Sequence, residues 1–142
     1  METVKNSIKK HEGFRNKVYK DTLGKRTIGY GHLCVEDWWE DDKEYPEAQL
    51  DRIFDQDFEK AKDGASKLYE WCEINYTAKG VIIEMVFQLG PTGVSKFKNM
   101  WKALKETPPN YSVAKIEMLD SRWAKQTPNR AKELSDIMGG IN

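Results

Sequence analysis

Residues 12–32 read EGFRNKVYKDTLGKRTIGYGH, and the fold turns on this stretch. It puts Glu12 at the end of a helical pattern, Asp21 at a strand turn, and Thr27 in a return strand beside two glycines. Just upstream, from Thr3 to Glu12, Val4 and Ile8 stand one helical turn apart. Thr3 suits the cap, and Gly13 suits the left-handed position after the end. Downstream, Phe14–Lys20 and Arg26–Leu33 read as strands around a turn at Asp21–Lys25 that contains Gly24. Alternation places Thr27, Gly29, Gly31 and Leu33 on one face of the return strand and Ile28, Tyr30 and His32 on the other. A face so stripped of side chains points to close approach by a ligand, and so to a groove floor.

Beyond this section the pattern turns helical. The acidic stretch EDWWEDDKEYPE at 36–47 reads as a loop or short irregular element. Pro46 then opens a helix in which Leu50, Ile53, Phe54, Asp57, Phe58 and Ala61 recur at helical spacing until Asp63-Gly64. A poorly defined piece around Leu68–Trp71 follows, then an apolar run from Thr77 to Leu89 and a helix over about Ser95–Lys105. Pro108 and Pro109 break the chain, Val113–Ala124 forms the next helix, and Thr127-Pro128 starts a last one reaching Gly139-Gly140.

With 142 residues the chain can bury a real core without a disulfide or metal. Its 23 basic and 23 acidic residues balance, so the overall charge gives no reason to expect a nucleic-acid partner. Lys and Arg are nonetheless in excess between Lys96 and Lys132, a region that would favour a negatively charged wall polymer. Cys34 and Cys72, far apart and outside any C-x-x-C pattern, are expected to be free thiols. No signal-peptide-length apolar run is present at the start, and no segment approaches a membrane span, so the expectation is synthesis as a soluble protein without membrane insertion.

The chemistry these residues suggest is glycosidic hydrolysis. An inverting enzyme needs a carboxylic acid at the leaving oxygen and a carboxylate across the sugar ring, with room between them for water. Glu12 and Asp21 are positioned to flank such a space. Thr27 carries a hydroxyl that donates and accepts, suited to orienting the water. Arg130, in the first turn of the last helix, is a cation where the helix dipole disfavours one, and a carboxylate partner would compensate. Zinc chemistry of the H-E-x-x-H type fails because position 15 after His11-Glu12 is Arg15. His32 is better read as a structural residue held by a carboxylate. There is no G-x-S-x-G elbow, phosphate loop or Cys-His pair.

The segment as a whole, E-G-x(5)-Y-K-D-T-x-G-x-x-T-I-G-x-G-H, resembles the active-site segment of the T-even phage lysozymes, endolysins of glycoside hydrolase family 24. Two further blocks agree, MVFQLGPTGVSKF at 85–97 and SRWAKQTPNRAKEL at 121–134. The resemblance implies a two-lobed α+β lysozyme-like fold forming a single domain over 1–142. A β-containing lobe of about 13–50 would be joined by a helix of about 46–63 to a helical lobe of about 64–142, with helix 3–12 packed on that lobe. The cleft between the lobes would hold the glycan strand.

The same resemblance implies hydrolysis, with inversion, of the β-1,4 bond between N-acetylmuramic acid and N-acetylglucosamine in peptidoglycan, without a metal or organic cofactor. Glu12 would be the acid, with Asp21 and Thr27 handling the water. Gly31, Leu33, Phe87 and Gln88 would lie at the substrate, Arg130 would pair with Glu12, and His32 with Asp57. Met100 and Glu117 stand where familiar members carry small or amide residues, and the chain is shorter between Leu33 and Gln49 and between Gly64 and Tyr76. A monomeric enzyme is implied, made in the host cytoplasm and released to the periplasmic peptidoglycan by a holin, so that the host cell lyses. A non-cutting glycan-binding module and a lysozyme domain of a tail or baseplate protein are the alternatives.

Overall fold

The computed structural model describes all 142 residues, Met1–Asn142. In chain order they form α1 (Glu2–Glu12), β1 (Arg15–Lys20), β2 (Arg26–Gly29), β3 (His32–Leu33), α2 (Glu47–Tyr69), α3 (Tyr76–Ser95), α4 (Lys98–Leu104), α5 (Tyr111–Leu119), α6 (Arg122–Gln126) and α7 (Pro128–Gly139). This is the α+β lysozyme-like architecture, with one small sheet and seven helices. The chain divides into two compact units, one of Glu2–Lys60 and one of Ala61–Asn142 with Met1, and α2 carries it from the first to the second.

In the first unit the three strands form an antiparallel sheet in the order β1-β2-β3. The return strand of the sequence reading is broken: Thr27 pairs with Leu33 and Ile28 with His32, so the chain reverses through Gly29, Tyr30 and Gly31. Both glycines have left-handed backbones, with φ of +64° and +78°. Two-residue alternation therefore ends at Gly29, and the glycines serve first to make a hairpin turn.

Ile28, Trp39, Tyr45 and Leu50 form the core beneath the sheet, with Val18, Cys34 and Ile53 packed against it. Trp39 and Tyr45 meet edge to face at 4.8 Å, and Arg26 binds both the Trp39 carbonyl and Asp41. The acidic stretch is thus an irregular cap over the sheet.

α1 belongs to the compact unit Glu2–Lys60. Its only fully buried residue is Ile8. Lys9 lies 5.0 Å from the Tyr30 ring centroid and 4.9 Å from that of Phe54, and Lys5 lies 5.1 Å from that of Phe58. The ammonium groups of these lysines thus sit over ring faces of α2 and of the β2–β3 turn while also reaching Asp51 and Asp55.

α2 departs from expectation, running past Asp63-Gly64 to Tyr69. A β-carbon on Gly64 would touch Pro91 and Val86 at 3.5 and 3.6 Å, and Ala61 and Ala65 are buried. Packing along this small-residue face carries the helix through a residue of poor propensity.

The second unit is helical. Residues Val81–Val86 of α3 are buried without interruption, as expected of a helix surrounded by others. α3 is kinked at Gly90, with φ +77° and ψ +161°, one residue before Pro91. The single helix expected over Val113–Ala124 is two, because the Ser121 side chain accepts from the Ala124 amide and starts α6 afresh. Met100, Trp101, Leu104, Met118, Trp123, Leu134 and Met138 fill the core around α3.

Candidate active site

Glu12 is the last residue of α1. The helix closes there because Gly13, at φ +72°, donates its amide to the Lys9 carbonyl at 2.9 Å. The Glu12 carboxyl lies over the β2–β3 turn, where a β-carbon added to Gly31 would stand 2.7 Å from Oε2 and 3.2 Å from Cδ. Gly31 is therefore bare for two reasons, its positive φ and its proximity to Glu12. Gly29, by contrast, faces Leu50 at an ordinary 3.5 Å.

Asp21 is fixed by its own turn. Its Oδ1 accepts the amides of Leu23 at 2.9 Å and Lys25 at 2.8 Å, while its backbone amide donates to the Lys25 carbonyl at 2.9 Å. Aspartate at the start of a turn forms this arrangement readily, because its short side chain reaches amides two and four residues on. Thr27 is buried, and its hydroxyl donates to the same Lys25 carbonyl at 2.9 Å. The Lys25 backbone therefore links Asp21 to Thr27. With Oδ1 committed to amides, Oδ2 is the oxygen able to hold a water, and the Thr27 oxygen keeps its lone pairs as acceptors.

Tyr19, directly across the β1–β2 ladder from Thr27, reports the field of this neighbourhood. Burial and the negative charge of Glu12 push its phenol above the ordinary value; Arg15, 4.7 Å from the ring, opposes this, and Asp21 adds to it. Both carboxylates therefore act on one side chain. The sequence reading assigns Tyr19 no part, although it stands in the Y-K-D-T motif.

His32 bridges two acids. One ring nitrogen, Nδ1, lies 2.8 Å from Asp57 Oδ2, the partner implied by the resemblance, and Nε2 lies 2.9 Å from Glu36 Oε1. That Glu36 oxygen also accepts from Trp39 Nε1 at 2.7 Å. The Asp57 hydrogen bond raises the His32 pKa; burial opposes it and Glu36 adds to it. For Glu36, burial works against ionisation, but the Trp39 and His32 bonds outweigh it and the carboxyl pKa falls. With a carboxylate at each ring nitrogen, both are suited to donating, as only the imidazolium can. Glu36 was not foreseen, since one acid in an acidic run carries no signal.

The remaining expected residues are distributed between the units. Leu33 ends β3 with its side chain well exposed. Phe87, Gln88 and Arg130 belong to the helical unit. Gln88 Oε1 accepts from Trp123 Nε1 at 2.8 Å, which fixes the amide's orientation. Arg130 is buried and its Nε donates to Glu84 Oε2 at 2.9 Å, a carboxylate that is itself fully buried. Glu84 supplies compensation for a cation in the first turn of α7, and its signal was present: a lone acid inside the apolar run VIIEMVF needs a partner.

A groove of about 500 Å3 in the helical unit is lined by Leu89, Phe97, Met100, Glu117, Arg122 and Trp123, among others. Met100 and Glu117, singled out by the resemblance, therefore line one groove. No cluster of three His, Cys, Asp or Glu side chains is arranged to hold a metal ion.

The phage lysozyme family model matches residues 9–136, which takes in every site residue described above. Two probable T4-type lysozymes of Dictyostelium discoideum, numbered 2 and 1, are 29% and 28% identical over 95% and 96% of this chain and 92% and 93% of their own lengths. The pre-baseplate central spike protein Gp5 of Enterobacteria phage T4 is 27% identical over 92% of this chain, which spans only 26% of that protein. A match over nearly the whole chain, on a fold of this architecture, leads to one conclusion: the chain belongs to the phage lysozyme family and is a glycoside hydrolase of the lysozyme type.

Proposed function

We propose that the protein is a muramidase of the endolysin kind, cutting the β-1,4 bond between N-acetylmuramic acid and N-acetylglucosamine in peptidoglycan with inversion. The observation that carries the reading is the tie of Asp21 and Thr27 to the Lys25 backbone, beside a Glu12 carboxyl resting over Gly31. Glu12 protonates the leaving oxygen as the bond breaks. Asp21 Oδ2 takes a proton from a water held with the Thr27 hydroxyl, and that water attacks the anomeric carbon from the opposite face. The glycan is thereby divided into one chain with a new reducing end and one with a free hydroxyl. Proton number balances, because Asp21 gains what Glu12 loses and solvent resets both.

In this reading the enzyme accumulates in the host cytoplasm, acts as a monomer, reaches the periplasmic peptidoglycan once a holin has opened the membrane, and lyses the cell. The site needs no cofactor. The Gp5 similarity favours a second reading, a lysozyme domain of a tail or baseplate protein. Probing purified virions and the late-infection cytoplasm with an antibody separates the two.

The test of the chemistry is product analysis on purified Gram-negative peptidoglycan. Borohydride reduction of the products followed by hydrolysis yields muramicitol from a muramidase. Glucosaminitol in its place would overturn the bond assignment. Proton NMR of a short glycan during the first turnovers should show the α-anomer, and initial β-anomer would overturn inversion.

A further inference from the structure

We propose that one edge of the helical unit, built from α4 and the end of α2, docks on an anionic phospholipid surface. A groove of about 450 Å3 there is lined by Leu68, Ser95, Lys98, Trp101, Lys102 and Lys105. The lysines follow i, i+4, i+7 spacing, so the helical repeat sets them on one face within about 10 Å along the axis. None of the three makes an ion pair, and no acidic residue lines the groove. Glu70, Glu73 and Glu106 are near in sequence but are not part of its wall. Three cations around one concavity repel one another, and a bound anion would relieve that repulsion. Because the whole chain is neutral, the attraction has to be local.

A second observation identifies the anion's carrier. Trp71 is 79% exposed, lies two residues beyond the end of α2 and packs on no other ring. Leu68, three residues before it, lines the groove, so the indole leaves the chain close to the groove's wall, and the thiol of the adjoining Cys72 feels the charge of Lys105. An exposed indole beside a row of lysines matches the lipid–water interface, where the ring sits among headgroups while ammonium groups meet phosphates. Leu68 and the buried ring of Trp101 give the groove an apolar floor for the glycerol region. No helix of the protein is long and apolar enough to cross a membrane, so the contact is peripheral.

The test is co-sedimentation of the full chain with vesicles of phosphatidylcholine, with and without about 30% phosphatidylglycerol. Binding is expected only to the anionic vesicles and should fade as salt is raised. Lys102→Gln/Lys105→Gln should weaken it about 25-fold, at about fivefold per lysine, while Lys102→Arg/Lys105→Arg retains it. Trp71→Ser should weaken it without changing the salt dependence. Circular dichroism and melting of each variant confirm that the fold is kept. Equal binding to neutral vesicles, unchanged partition of the folded Lys→Gln variant, or lysine-dependent binding to purified wall sacculi without vesicle binding would each overturn the proposal. The glycan reaction is read separately on soluble substrate, so failure of one account leaves the other standing.

Discussion

Gly31 lies so close under Glu12 that a β-carbon on the glycine would stand 2.7 Å from the carboxylate oxygen Oε2. The obstructed atom is the tip of a flexible side chain, so Gly31→Ala resolves the clash by moving the carboxyl. Activity on peptidoglycan should fall at least tenfold, since a displacement of about 1 Å at a reacting group can cost about 100-fold. Gly90 is a control for strain away from Glu12, because a β-carbon there meets nothing within 4 Å while its φ of +77° and ψ of +161° disfavour any other residue. Both alanine variants should lose about 1–3 kcal/mol in urea unfolding from backbone strain, Gly90→Ala the more of the two. Only Gly31→Ala should lose activity through Glu12, and an equal activity loss in Gly90→Ala would contradict the account.

Asp21 and Thr27 share the Lys25 backbone, so the Thr27 hydroxyl has both a structural and a chemical duty. Thr27→Val preserves shape but removes the donor to the Lys25 carbonyl, which should cost about 1 kcal/mol. If the hydroxyl also holds the attacking water, kcat should drop 100-fold or more, and Thr27→Ser should restore most of it. Steady-state kinetics beside urea melts separate the two effects.

Arg130 and Glu84 form a buried ion pair, and removing one partner takes away charge compensation from the other. Arg130→Ala should destabilise the protein by about 3–5 kcal/mol. The double variant Arg130→Met/Glu84→Leu should recover part of that loss, since apolar replacement of both partners removes the undercompensated charge. Chemical unfolding of the single and double variants is the check.

The His32 network makes stability depend on pH in a defined direction. His32 has a folded pKa above its unfolded value of about 6.5, so its contribution is complete below that value and is lost as pH rises through the folded one. Glu36 has a lowered pKa, and its contribution is lost as pH falls through that folded value. The urea midpoint should therefore decline as pH rises from about 6.5 through the raised folded pKa of His32, and His32→Gln should flatten that decline.

How much of this was legible in the sequence depends on whether the controlling force is local. The Asp21 turn, the Glu12 helix end and the start of α7 at Pro128 follow from short-range chemistry, and they stand where expected. The two glycines read as a bare strand face because the pattern contains no sign of the reversal through Tyr30. Gly64 read as a stop because its contacts with Val86 and Pro91 are distant in sequence. The Trp38-Trp39 stretch gave no periodicity, yet Trp39 is core, pinned through Glu36 to His32. Glu84 was visible as an acid in an apolar run, but its partner lies 46 residues away.

The most direct test of the central claim is reducing-end release from purified peptidoglycan by wild type and Glu12→Gln, with binding to the same material measured in parallel. The amide keeps the shape over Gly31 but has no proton to give the leaving oxygen. The account predicts steady release by wild type and, for the variant, undiminished binding with release down by several orders of magnitude. Release by a folded Glu12→Gln at a rate near that of wild type would contradict it.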